Sequence, residues 1–161
     1  MAGRQTIRQK SKQERVGEKL KKGTKTKEHP QSMRCPYCGA PMVIRPAEEI
    51  YRRKTNAERL LVCSRYPECN TYAQFIPGTD ELMGNPADPA LRRLRDHAHR
   101  SFDRVWKKGY MSRDDAYHWM ADFLGLRRDQ AHIGRFDTYR CRRVISKCEA
   151  LRRLREQQKD A

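Results

Sequence analysis

Cys35-Pro36-Tyr37-Cys38-Gly39-Ala40-Pro41-Met42 and Cys63-Ser64-Arg65-Tyr66-Pro67-Glu68-Cys69 hold four of the six cysteines, and their reading decides the fold. The spacing is C-x2-C, then 24 residues, then C-x5-C. A zinc ion takes four thiolates at tetrahedral positions about 2.3 Å away. The first turn, through Pro36-Tyr37 with Gly39 behind it, points two sulfurs at one centre. Cys63 and Cys69 make a second, longer turn around Tyr66-Pro67. Two such knuckles at the ends of a hairpin predict a zinc ribbon with Cys35, Cys38, Cys63 and Cys69 on a single ion. Four thiolates fill the coordination sphere, so the expected role of the zinc is structural rather than catalytic.

Working outward, residues 32–78 form the expected ribbon. Met42-Val43-Ile44, Leu60-Leu61-Val62-Cys63, Tyr72 and Phe75-Ile76 read as short strands, and Pro77-Gly78 closes them. Residues 79–88 read as a linker, and residues 88–157 turn to helical periodicity. Asp88 is an N-cap with Pro89 behind it, and Leu91, Leu94, Ala98, Phe102 and Val105 follow at spacings of three and four. Ser112 and Asp115 resemble a capping box ahead of Ala116, Trp119, Met120, Phe123 and Leu124, which run to Gly125. Asp137 caps a third helix bearing Cys141, Val144, Ile145, Cys148, Leu151 and Leu154 on one face. Residues 1–31 are a basic arm, with ten Lys or Arg from Arg4 to Lys27 against Glu14, Glu18 and Glu28. Its apolar residues are too sparse to bury a face, so the arm is expected to be disordered. The predicted class is α+β: a small antiparallel β zinc ribbon, a three-helix segment and a disordered basic N-terminal arm.

The CPxCG and CSxYPxC turns resemble the four-cysteine zinc ribbons at the C-terminal end of bacterial type IA DNA topoisomerases. That resemblance covers about 40 residues and implies single-stranded DNA binding, partly by stacking bases on exposed aromatics. The topoisomerase ribbons have a shorter intervening segment, usually with a glycine and an aromatic before the third cysteine. Here Arg59-Leu60-Leu61-Val62 stands at that place, and residues 45–59 are enlarged and basic. No topoisomerase catalytic domain is present. The longer stretch from Cys35 to Arg143 resembles an uncharacterised family of bacterial and phage proteins known as a zinc-finger-containing domain. Leu91-Arg92-Arg93-Leu94-Arg95, His97-Ala98-His99, Phe102-Asp103, Trp106-Lys107, Met111-Ser112-Arg113, Ala116-Tyr117, Trp119 and His132-Ile133-Gly134 carry this second resemblance. It implies the two-module layout and no particular activity.

With 37% hydrophobic and 35% charged residues, the chain has a modest core, the situation in which small domains commonly rely on a metal or disulfides. No apolar stretch approaches the roughly 20 residues of a membrane span, and the N-terminus has no secretory h-region. The expected location is cytoplasmic, where thiols stay reduced and paired cysteines serve as metal ligands. No nucleophile elbow, phosphate-binding glycine loop or carboxylate cluster suited to a catalytic metal is present, so an enzyme is not expected. Cys141 and Cys148 stand about 10 Å apart along a helix, too far for one ion, and read as small buried hydrophobes. His132 opens a loop and could meet Cys141 or His118; it reads as a structural hydrogen-bonding residue, with a ligand role as the alternative.

The net charge of +16 points to a polyanionic partner, nucleic acid before any membrane surface. Tyr37 and Tyr66 in the knuckle turns either stack bases or pack around the metal; both readings stay open. Arg65, Arg52, Arg53 and Lys54 are the ribbon's candidate phosphate contacts. Arg142 and Arg143, on the arginine-rich face of the third helix, offer a second mode along a duplex groove or structured RNA. The expected function is low-specificity binding of DNA or RNA, single-stranded DNA favoured. The alternative is an adaptor whose ribbon docks on a protein of a nucleic-acid-processing complex.

Overall fold

A computed structural model describes residues 32–52 and 55–158. The basic arm, Arg53 and Lys54 lie outside the described residues. Three antiparallel strands, β1 (Met42–Pro46), β2 (Arg59–Cys63) and β3 (Tyr72–Gln74), form one sheet in the order β1-β2-β3. The register sets Met42 opposite Cys63 and Leu60 opposite Gln74. Because side chains alternate along a strand, β2 serves two cores. Leu61 and Cys63 join Cys35, Met42 and Phe75 on the cysteine face. Leu60 and Val62 face the other way.

That second face is closed by a short helix, α1 (Ala47–Tyr51), within the stretch expected only as an enlarged basic segment. The Ala47 N–H donates to Glu58 O at 3.0 Å, pinning the helix start beside β2. Ala47, Ile50 and Tyr51 then pack with Leu60, Val62, Tyr66 and Tyr72. This explains the unbroken Leu-Leu-Val-Cys run: a strand covered on both faces does not alternate apolar with polar.

The helical part follows the capping signals. Asp88 accepts from Leu91 N at 2.8 Å and starts α2 (Pro89–Lys107). Ser112 accepts from Asp115 N at 3.1 Å and starts α3 (Arg113–Leu124), which ends at Gly125. The Asp115 carboxylate accepts from the Ser112 hydroxyl at 2.6 Å. Asp137 accepts from Arg140 N at 2.8 Å and starts α4 (Thr138–Gln157). Two single 3₁₀ turns, Arg128–Gln130 and Ile133–Arg135, join α3 to α4. Ala98, Phe102 and Val105 of α2 meet Ala116 and Met120 of α3 and Cys141, Val144 and Cys148 of α4. Burial pushes the Cys141 and Cys148 thiols up to about 11 and 12, which leaves them unreactive core groups. Leu154, expected on the buried face, is 57% exposed, because the last turns of α4 are exposed throughout and have no facing core.

Residues 79–88 do not hang free between ribbon and helices. They run back along β3, with Met83 N on Gln74 O at 2.8 Å and Ala87 N on Tyr72 O at 3.1 Å. Asn85 N then reaches Gly134 O at 3.1 Å. Gly84 makes this approach possible: a Cβ there would stand 2.3 Å from the Gly134 carbonyl oxygen. Two arginines of α2 complete the join. Arg92 donates to Asn70 O at 2.9 Å and Asn70 Oδ1 at 3.0 Å, and lies 3.7 Å from the centre of the Tyr72 ring. Arg95 donates to Phe136 O at 2.9 Å and Asn85 O at 2.7 Å. No helix of the described residues is long and apolar enough to cross a membrane.

Candidate metal centre and the residues around it

The two knuckles are built by local backbone bonds. Gly39 N donates to Cys35 O at 2.9 Å and Cys35 N to Ala40 O at 2.8 Å, closing the first turn. Gly39 sits at φ +70°, left-handed backbone that glycine adopts without a Cβ penalty. In the second, Tyr66 N donates to Cys63 O at 3.0 Å and Cys69 N to Arg65 O at 3.0 Å. Ser64 N reaches Pro41 O at 2.9 Å and ties the knuckles together.

The four sulfurs lie within 4.8 Å of one another. Cys35 Sγ is 3.6 Å from Cys69 Sγ, and Cys38 Sγ is 3.4 Å from Cys63 Sγ. Bonds of about 2.3 Å to a tetrahedral zinc give sulfur–sulfur edges of about 3.8 Å, so the cluster fits that ion. All four are free thiols, and a disulfide would bring the sulfurs to about 2.05 Å. Burial raises the Cys35 thiol, but the Tyr37 and Cys38 N–H groups and the Thr71 hydroxyl outweigh it and bring the thiol down to about 6. Cys63, burdened by burial and by three neighbouring sulfurs, is pushed up to about 12. A divalent cation relieves that crowding by taking all four as thiolates. Cys35 and Cys63 are buried and the other two half-buried, so four thiolates would enclose a bound metal and fill its coordination sphere. Thr71, buried to 1%, places its hydroxyl 3.4 Å from Cys69 Sγ and orients that ligand. The Cys-x-Thr pair was the only sign of it in the sequence.

A family model described as a zinc-finger-containing domain matches residues 31–151. The chain belongs to that family. No curated protein and no solved structure matches the chain. The family match and the thiol geometry together assign one structural zinc site to this zinc-finger domain.

The remaining candidate residues are placed differently from one another. Tyr37 is 48% exposed at the tip of the first knuckle. Tyr66 is half-buried against the cluster of Leu60, Val62 and Tyr72. Arg65 is exposed beside it; Arg52 is exposed at the end of α1, with φ 52°. Arg142 is exposed on α4. Arg143 is engaged, donating to Phe123 O at 2.9 Å and Tyr139 Oη at 3.2 Å. Arg92 and Arg95, both partly buried, had no separate signal in the sequence beyond the Leu-Arg-Arg-Leu-Arg run. Burial lowers both guanidiniums from their usual value, without removing their charge.

Proposed function

We propose that this zinc-finger domain binds nucleic acid with little sequence preference and favours single-stranded DNA. The observation that carries the reading is Tyr37, an exposed aromatic beside a basic groove. It lines a cleft of ≈ 440 Å³ with Arg34, Arg95, Arg135 and the N-cap carboxylate Asp137. Single-strand binders combine this kind of platform with a cationic track, and each stacked base contributes about 1–3 kcal/mol. The charge of +16 adds a non-specific attraction to phosphates, and more than half of the excess lies outside the basic arm. The resemblance of the knuckle turns to single-strand-binding ribbons agrees with this reading. The metal centre holds the platform in place and does no chemistry on the ligand.

A titration of the zinc-loaded chain against single-stranded DNA, duplex DNA and RNA of equal length, repeated over a salt series, tests the proposal. The expected order places single-stranded DNA first, with affinity falling steeply as salt rises. Binding to none of the three would remove nucleic acid as the partner and leave the protein-docking adaptor; salt-independent binding would overturn the phosphate attraction.

A further inference from the structure

A second cleft, of ≈ 460 Å³, lies where the ribbon meets the helices. Tyr51, Tyr72 and Gln74 wall it on the ribbon side, and Arg92, Arg95 and Tyr117 on the helix side. Its size falls in the range of small-ligand sites, about 300–1,000 Å³. No ion pair among the described residues neutralises its two arginines, which the Asp88 and Asp137 carboxylates support only from a distance. The Arg92 and Arg95 guanidiniums donate only to the Asn70 side chain and to carbonyls of residues 70, 85, 87 and 136. Among the described residues neither pairs with a carboxylate. Asp96, the acid on the cleft wall, is held by Arg100. Carbonyl dipoles satisfy donors without cancelling charge, and a partly buried cation without a counter-charge is costly to keep. Arg92 Nε and Arg95 Nη2 have no hydrogen-bond partner among the described residues. Guanidinium groups with spare donors suit phosphate oxygens.

The two clefts are neighbours: Asn85 and Arg95 line both. A strand stacked on Tyr37 therefore meets Arg95 next. We propose that the junction cleft is a nucleotide subsite, taking one unit of a single strand with its phosphate on Arg92 and Arg95 and its base toward the Tyr51 wall. This inference rests on the nucleic-acid reading above and deepens it. At ≈ 460 Å³ the cleft is of single-nucleotide size, so the proposed subsite would favour an unpaired unit over a duplex.

The test uses the full zinc-loaded chain, with zinc content and thermal melting checked for each variant. Gln74→Glu sets a carboxylate in the cleft with almost no change of shape, and Gln157→Glu makes the same charge change on exposed α4. The probes are a short oligothymidylate, its duplex and thymidine monophosphate. Gln74→Glu is expected to weaken oligothymidylate binding about tenfold, because the new carboxylate competes with the phosphate for the guanidiniums, and to leave duplex binding no weaker than in Gln157→Glu. Equal losses in the two variants, with wild-type single-strand binding intact, would overturn the subsite and leave the proposed function standing. If wild type ignores the oligomer while the monophosphate shifts amide resonances around the cleft, and Gln74→Glu abolishes those shifts, the nucleotide site stands and strand binding falls. No binding of either probe overturns both.

Discussion

Tyr37 and Tyr66 both lie in the knuckle turns, yet their surroundings differ. Tyr37 is 48% exposed, whereas Tyr66 packs on the second face of the sheet. Tyr37→Ala should therefore cost about 1–3 kcal/mol of single-strand affinity with unchanged stability and salt slope, because stacking carries no charge. Tyr37→Phe keeps the π-face and should bind as wild type. Tyr66→Ala should instead lower the melting temperature, by removing about 1–3 kcal/mol of packing, before any effect on binding. Paired melting and titration curves distinguish the two. Loss of affinity at unchanged stability in Tyr66→Ala would return that residue to the binding surface.

At the scale of elements, the join of ribbon to helices depends on two backbones touching. The residue-84 Cβ of a Gly84→Ala variant would meet the Gly134 carbonyl at 2.3 Å, and the obstacle is main chain, which cannot rotate away. The Asn85–Gly134 hydrogen bond should break and the 79–88 segment shift from α2. The expected cost is about 1–3 kcal/mol, as for other overpacked sites. It is measurable by denaturant unfolding and by faster amide exchange at Asn85. A Gly84→Ala protein as stable as wild type, with Asn85 still protected, would refute the close approach. Within α2 and α4 the caps at Asp88 and Asp137 are worth about 1 kcal/mol each, so the helices themselves should survive the change.

For the whole molecule, the metal and the basic arm govern different properties. Structural zinc supplies on the order of 10 kcal/mol in comparable small modules, so chelation should unfold the ribbon. Cys63→Ser should bind zinc far more weakly, since one thiolate of the tetrahedral set is gone. The pH dependence has a definite sign. Zinc holds the thiols deprotonated, well below their unfolded values, so this stability is present in neutral and alkaline solution and is lost on acidification. Zinc release followed with a chromogenic chelator during an acid titration should track loss of sheet signal. Full zinc retention by Cys63→Ser would sink the four-thiolate assignment. On the proposed nucleic-acid reading the arm would act through charge alone, so deleting residues 1–30 should weaken binding alike for all sequences and flatten the salt dependence, by a slope of about 0.7–0.9 for each lost phosphate contact. Unchanged affinity and slope would make it a solubility segment only.

The metal centre and the helix starts were legible without coordinates because each is a local signal. The first knuckle shows as Cys-x2-Cys with a glycine and the second as Cys-x5-Cys around Tyr66-Pro67, and a cap needs one Asp or Ser ahead of an apolar face. Helix α1 was not legible, since its five residues are too short to show a period and are held by burial against Leu60 and Val62. Nor did periodicity separate Leu151, which meets the core, from Leu154, which passes its end. The junction lay furthest out of reach. Its contacts join residue 84 to 134, 85 to 95 and 70 to 92, and nothing local in Gly84, Asn85 or Arg92 announces a partner that distant. Local sequence chose the ligands, the caps and the charge; only the packing of ribbon on helices decided which arginines line a cleft without an ion-pair partner among the described residues.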